Sequence, residues 1–261
     1  MDAASPALDP TLDPTLDPGA PLTDGWLRDR RDSTGAGAVV TYGGGGLSAG
    51  RTGFSAVERA LLAGVRGSGR RPRVTLVPTA SGDDDACMDA FRAACDAEDA
   101  EGHVLSLFRR TEAPFGNVLD DADLVYVTGG AVANLAALWR LHGLAAEVVG
   151  AWRRGAVVAG SSAGALIWSL GGVTTSFGTP AGWTDGLGVV PHSLCPHYDT
   201  QPGRAQLYRD LVDRGELPAG YGLDEDAAGV FVGGELVGVL ADREGAGVHA
   251  VSPTPAAGRR P

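Results

Sequence analysis

Gly160-Ser161-Ser162-Ala163-Gly164 follows the apolar run Ala156-Val157-Val158-Ala159 and leads into Ala165-Leu166-Ile167-Trp168. An apolar strand that bends through G-x-S-x-G into an apolar helix constrains the chain to an α/β layout, because the small residues allow strand and helix to approach closely. Such a turn strains its central serine, exposes the hydroxyl and aims the first N–H groups of the helix at the same spot. Ser162 is therefore the candidate nucleophile, although an ordinary glycine-rich strand-to-helix loop has a similar composition.

From Ala38 onward, short β-branched runs alternate with longer helical segments, the pattern of a parallel sheet with crossover helices. Strands are predicted at 38–42, 73–77, 103–107, 123–127 and 156–159, and helices at 55–65, 84–97, 133–141, 163–170 and 203–214. Residues 187–190 also read as strand-like, and Gly233-Gly234 between two apolar runs predicts a C-terminal β-hairpin. The expected fold is a doubly wound, mostly parallel sheet between helical layers, a flavodoxin-like three-layer αβα arrangement. The repeat Leu8-Asp9-Pro10-Thr11, Leu12-Asp13-Pro14-Thr15 marks residues 1–36 as an acidic, proline-rich tail expected to be disordered. One domain is expected over 37–252, with a frayed end at 253–261.

A length of 261 residues suits one core. The formal net charge of −11 speaks against nucleic acid and anionic membranes as partners. Every basic side chain other than histidine is arginine, which eliminates Schiff-base lysines, Ser-Lys dyads and lysine-bearing phosphate loops. The three cysteines, Cys87, Cys95 and Cys195, form no C-x-x-C pair, so neither a disulfide framework nor a zinc site is expected. With no bilayer-length apolar run and no signal-peptide pattern, a cytoplasmic protein is expected.

A serine hydroxyl needs a base, and histidine is the usual one. Of the five histidines, His197 in Cys195-Pro196-His197-Tyr198-Asp199 lies in a loop before a helix, where the functional edge of the sheet is expected, with His192 as the second choice. His103 and His142 read as structural or solvated. The orienting acceptor is sought among Asp224, Glu225 and Asp226. Ala163 would give one oxyanion N–H, and Thr128-Gly129-Gly130 at the end of a strand the second. Gly43-Gly44-Gly45-Gly46 departs from a dinucleotide fingerprint, with Ser48 at the third glycine position, and reads as a tight loop lining the cleft.

Together these blocks resemble the peptidase S51 family, which includes dipeptidase E and cyanophycinase and has the class I glutamine amidotransferase-like fold. The resemblance spans about Val39 to Val251. It rests on Gly43–Gly46, Val77-Pro78-Thr79-Ala80-Ser81, Val127-Thr128-Gly129-Gly130 with Asn134 and Leu138-Trp139-Arg140, the serine turn, the His197 loop and Asp224-Glu225-Asp226-Ala227-Ala228. It implies Ser162 as nucleophile, His197 as base, Glu225 as the acid (Asp224 if the register shifts by one) and Gly130 with Ala163 as oxyanion donors. It further implies hydrolysis of small peptides through an acyl-enzyme, without metal or organic cofactor. Dipeptidase E is associated with an N-terminal aspartyl residue and cyanophycinase with β-aspartyl-arginine. A substrate carboxylate would want an arginine, with Arg204 or Arg209 as the expected choice. A homodimer stays open.

Three other readings compete. An α/β-hydrolase-type esterase would use Ser162, Asp242 and His249; a glutamine amidotransferase would normally need cysteine at the turn; and a non-catalytic small-molecule-binding protein could keep the fold without turnover.

Overall fold

The computed structural model describes residues 24–28, 37–67, 69–109 and 114–255. Strands β1 (Ala38–Tyr42), β2 (Arg73–Val77), β3 (Glu101–Val104), β4 (Leu124–Val127) and β5 (Val157–Ser161) run parallel in the order β3-β2-β4-β5-β1. Alternate side chains of these strands enter different cores, as the two-residue period requires. Val39, Val77, Val125, Val127 and Val158 face one side. Val40, Tyr42, Leu76, Tyr126 and Ala159 face the other.

Helices α1 (Ala56–Val65) and α2 (Asp85–Ala97) cover the second of these faces through Leu61, Leu62, Met88 and Phe91. The short α3 (Gly116–Leu119), α4 (Val132–His142), α5 (Leu144–Arg154) and α6 (Ala163–Leu166) contribute Leu119, Trp139, Val148 and Leu166 to the first. Both faces of the sheet are thus closed, giving a three-layer α/β fold. Neighbouring β2 and β4 continue in opposite directions, β2 outward to β3 and β4 inward to β5, so a crevice opens at their carboxyl ends.

A second sheet of five strands packs against the first core. It contains β6 (Gly171–Thr174), β7 (Ala181–Trp183), β8 (Ser193–Cys195), β9 (Gly220–Leu223) and β12 (Val248–Val251), in the order β12-β9-β8-β6-β7. Helix α7 (Arg204–Asp213) closes its outer face with Tyr208, Leu211 and Val212. The expected hairpin is present as β10 (Ala227–Val232) and β11 (Glu235–Ala241), added antiparallel beyond β1. Its turn residues Gly233 and Gly234 have φ of 62° and 91°, the left-handed pair that a tight hairpin turn demands.

Several expectations are corrected. β3 lies two residues earlier than predicted at its start, because pairing with β2 begins with Arg73 against Glu101. Helix α6 ends at Leu166 and not at Leu170, where the Ser169 hydroxyl donates to the Leu166 carbonyl as the chain turns toward β6. Residues 187–190 form no strand; Leu187 and Val190 instead donate their N–H groups to Ile167 and Trp168 carbonyls.

The expected tail at 1–36 is corrected within 24–28, while the rest of it, like 256–261 of the expected frayed end, lies outside the described residues. Leu27 is fully buried and Trp26 donates its Nε1–H to the Ala60 carbonyl at 3.0 Å, so this turn packs on α1. Gly64 makes the room, since a Cβ there would stand 2.7 Å from Leu27. Arg28 pairs with Asp123, which Arg70 also grips through both terminal nitrogens. Leu27→Ala is accordingly expected to cost about 2–5 kcal/mol in urea unfolding, the range for emptying a buried leucine site. A change within about 0.5 kcal/mol, the range of surface substitutions, would remove this segment from the core.

Candidate active site

Ser162 follows β5 directly and takes φ 52°, ψ −106°. Its N–H donates to the Tyr42 carbonyl at 2.9 Å, while its own carbonyl accepts from Ala165 and Leu166 at 3.0 Å. The flanking glycines are required by contact: a Cβ on Gly160 would lie 2.3 Å from the Gly164 carbonyl oxygen, and one on Gly164 2.2 Å from that of Val127. Of the five described non-glycine residues with positive φ, three are Ser162, His197 and Asp226, all at this end of the sheet. Each such conformation costs about 1–3 kcal/mol and persists only where its surroundings over-determine it.

His197 Nε2 lies 2.8 Å from Ser162 Oγ, and its Nδ1 lies 2.7 Å from Glu225 Oε2. A carboxylate only accepts, so Nδ1 carries the proton and Nε2 is left to accept from the serine hydroxyl. Thr200 donates its hydroxyl to the same Glu225 oxygen at 3.0 Å, and the Glu225 N–H donates to Asp199 Oδ1 at 2.8 Å. Arg243 holds the other Asp199 oxygen and the Glu225 carbonyl. Thr200 and Arg243 were not singled out from sequence, and Asp199, the last residue of the His197 motif, was given no role there; Thr200 directly follows it.

The glycine run, expected to line the cleft, packs against His197 and Asp224. The Gly43 carbonyl accepts the His197 N–H at 3.0 Å. A Cβ on Gly43 would fall 2.1 Å from the Asp224 carbonyl oxygen, and one on Gly44 2.5 Å from His197 Cε1. Below the run, buried Glu58 accepts the N–H groups of Leu47 and Ser55 and the Tyr126 hydroxyl, and its burial raises its pKa.

Gly129 lies beside the serine: a Cβ there would stand 3.4 Å from Ser162 Cβ. Its N–H is committed to Ser48 Oγ at 3.1 Å, so Gly129 supplies proximity and no donor. The N–H groups of Gly130 and Ala163 have no protein acceptor among the described residues. Gly130 has φ 137°, and a Cβ there would meet the Ala80 carbonyl oxygen at 2.0 Å.

A cavity of about 460 Å³ adjoins Gly129 and Thr128 and is lined by Ser48, Arg51, Ser81, Asp84 and Cys87. It occupies the crevice outside β2 and β4. Burial pushes the Cys87 thiol up to about 11 and those of Cys95 and Cys195 up to about 12, so all three are protonated and poor nucleophiles at neutral pH.

Other candidates stand elsewhere. Asp224 is turned away from His197; its Oδ2 accepts from His249 Nε2 at 2.8 Å and from the Gly247 N–H at 3.0 Å. His192 is 1% exposed, packed edge-on against Tyr221, and burial lowers its pKa. Arg204, expected to meet a substrate carboxylate, is 2% exposed and spends its terminal nitrogens on the Gln201 side chain and the Val173 carbonyl. Arg209 donates to the Tyr198 hydroxyl and Gln206. The esterase pair Asp242–His249 is not formed, because Asp242 accepts from the Tyr42 hydroxyl and the Val57 N–H while His249 is on Asp224. No helix among the described residues is long and apolar enough to cross a membrane.

The family-wide sequence pattern of peptidase family S51 matches residues 40–239. An uncharacterized peptidase, YgaJ, of Bacillus subtilis (strain 168) is 35% identical over 213 residues, covering 82% of this chain and 91% of that protein. The crystal structure of a peptidase from an acI-B1 Actinobacterium shares the fold with TM-score 0.59 at 22% identity, over 89% of this chain and 94% of that one. A putative peptidase E protein from Listeria monocytogenes EGD-e does so with TM-score 0.57 at 18% identity, over 79% and 98% respectively. With the family pattern running from β1 into β11 and taking in the serine turn, the histidine loop and the carboxylate loop, the chain belongs to peptidase family S51 and is a serine-type peptidase.

Proposed function

We propose that this peptidase hydrolyses small peptides, with Ser162 as nucleophile, His197 as general base and Glu225 as the acid that orients it. The unbroken hydrogen-bond line from Ser162 Oγ through the His197 ring to Glu225, 2.8 Å and 2.7 Å long, carries this reading. His197 Nε2 takes the hydroxyl proton as Oγ attacks the scissile carbonyl. The N–H groups of Gly130 and Ala163 then donate to the developing oxyanion. The imidazolium, stabilised by Glu225, returns the proton to the leaving amine, and water activated by the same nitrogen releases the acyl group.

The cavity beside Gly129 is sized for one or two residues of a peptide. Arg51 in its lining, paired at 2.9 Å with Asp226, takes the part expected of Arg204 or Arg209: it meets a substrate carboxylate by exchanging partners. The test is a panel of Asp-X dipeptides, β-aspartyl-arginine and neutral X-Ala dipeptides, with casein as the large control. Cleavage of at least one small member without digestion of casein is expected. Turnover of glutamine or of simple esters alone would overturn the proposal.

A further inference from the structure

A second histidine–carboxylate pair, His249 on β12 with Asp224, touches both loops of the first pair one residue away from His197 and Glu225. Asp224 precedes Glu225 and Tyr198 follows His197. The His249 ring stacks on Tyr198, with centroids 5.4 Å apart and 26° between planes, while its Nε2–H donates to Asp224 at 2.8 Å. Asp224 is 5% exposed and anchored by the Gly247 N–H, so the acceptor is fixed and sets the ring's orientation.

Tyr198 is held on its other sides as well. A Cβ on Gly222 would stand 2.5 Å from the Tyr198 ring, so glycine there lets the tyrosine lie against β9. Its N–H donates to the Leu223 carbonyl at 3.0 Å, its hydroxyl accepts from Arg209 at 2.9 Å, and its ring meets Tyr208 edge-on at 6.4 Å. The residue before it, His197, sits at φ 53°, a left-handed conformation that persists only under restraint.

We propose that His249 is a positioning residue for the reaction: oriented by Asp224, it presses on Tyr198 and thereby holds His197 in its strained backbone conformation, with Nε2 on Ser162. The inference rests on the serine-peptidase reading above. It differs from a role for His249 as the base, which would make its loss as damaging as loss of His197.

The test compares wild type with His249→Ala, His249→Phe and His249→Gln, reading kcat and KM on the best dipeptide and the rate of labelling by a fluorophosphonate. His249 is half-exposed on the edge strand β12, so these variants are expected to fold. His249→Ala should lower kcat and the labelling rate together by about 10-fold, with KM within about twofold, as expected when a reacting group is displaced by a fraction of an ångström. His249→Phe keeps the ring on Tyr198 and should recover most of the loss, whereas His249→Gln keeps a donor for Asp224 and should not. Tyr198→Leu should reproduce the alanine result from the other side of the contact.

Wild-type kcat in His249→Ala, a phenylalanine variant no better than alanine, or a rise in KM at constant kcat would each overturn the inference while leaving the peptidase reading standing. A wild type that neither cleaves peptide nor labels would overturn both.

Discussion

Replacing Ser162 with alanine is expected to lower kcat for peptide hydrolysis by about a million-fold, the scale seen when the nucleophile of a serine peptidase is removed. The substitution removes the hydrogen-bond partner of His197 Nε2 and leaves the serine backbone contacts to Tyr42, Ala165 and Leu166 in place. Alanine is less tolerant than glycine of φ 52°, but serine already bears that strain, so the fold should be retained. Peptide binding, measured by calorimetry, should persist, because the cavity lining does not include Oγ. Retention of a substantial fraction of wild-type hydrolysis would show that the chemistry lies elsewhere.

The second large effect separates two adjacent carboxylates. Glu225→Gln is expected to lower kcat by about 10,000-fold, because an amide in place of the carboxylate can present an N–H to Nδ1 and favour the wrong imidazole tautomer. Thr200 holds the side chain and Asp199 the backbone N–H of residue 225, so geometry alone should not rescue the glutamine. Asp224→Asn weakens the bond that orients His249 but leaves its ring on Tyr198, and its expected loss is at most about 10-fold. Steady-state kinetics on the two variants decides between them; a greater loss from Asp224→Asn would contradict the assignment.

The residues that meet at the candidate site were easier to pick out in the sequence than the full fold, for a physical reason. Ser162 and the glycine loops follow β5, β1 and β4, and the carboxylates precede the hairpin, elements whose β-branched or apolar runs announce themselves; His197, after the short β8, stood out by its residue type and loop position. The paired carboxylates 224 and 225 differ by one residue, and only the chain's course after β9 decides which one faces His197; no pattern in the sequence encodes that direction. Arg204 is a residue type suited to carboxylate recognition, but its place at the first turn of α7, under the second sheet, turns it inward.

The second sheet was missed because its strands are three or four residues long and three of them, β6, β7 and β9, carry glycine. Those glycines are there for backbone contact: a Cβ on Gly172 would stand 1.7 Å from the Leu194 carbonyl oxygen, and one on Gly220 1.9 Å from that of Ser193. Such strands lack the alternating large side chains by which strands are recognised. Helix α5 was also missed, although Leu144, Val148 and Ala151 have helical spacing; Gly143, left-handed at φ 72°, ends α4 and starts α5 in one step. The turn at 24–28 was hidden inside a stretch whose proline and aspartate content argues against packing, and only Trp26 and Leu27 contradict that composition.

The central claim is that Ser162 is activated by His197 in the native protein. Its most direct test is the intact mass and peptide map of the chain after exposure to a fluorophosphonate at neutral pH. One adduct on Ser162, formed by the folded wild type and lost in His197→Ala, is the expected result. A protein that stays unmodified while folded, carries its adduct at another residue, or labels equally fast without His197 would contradict the claim.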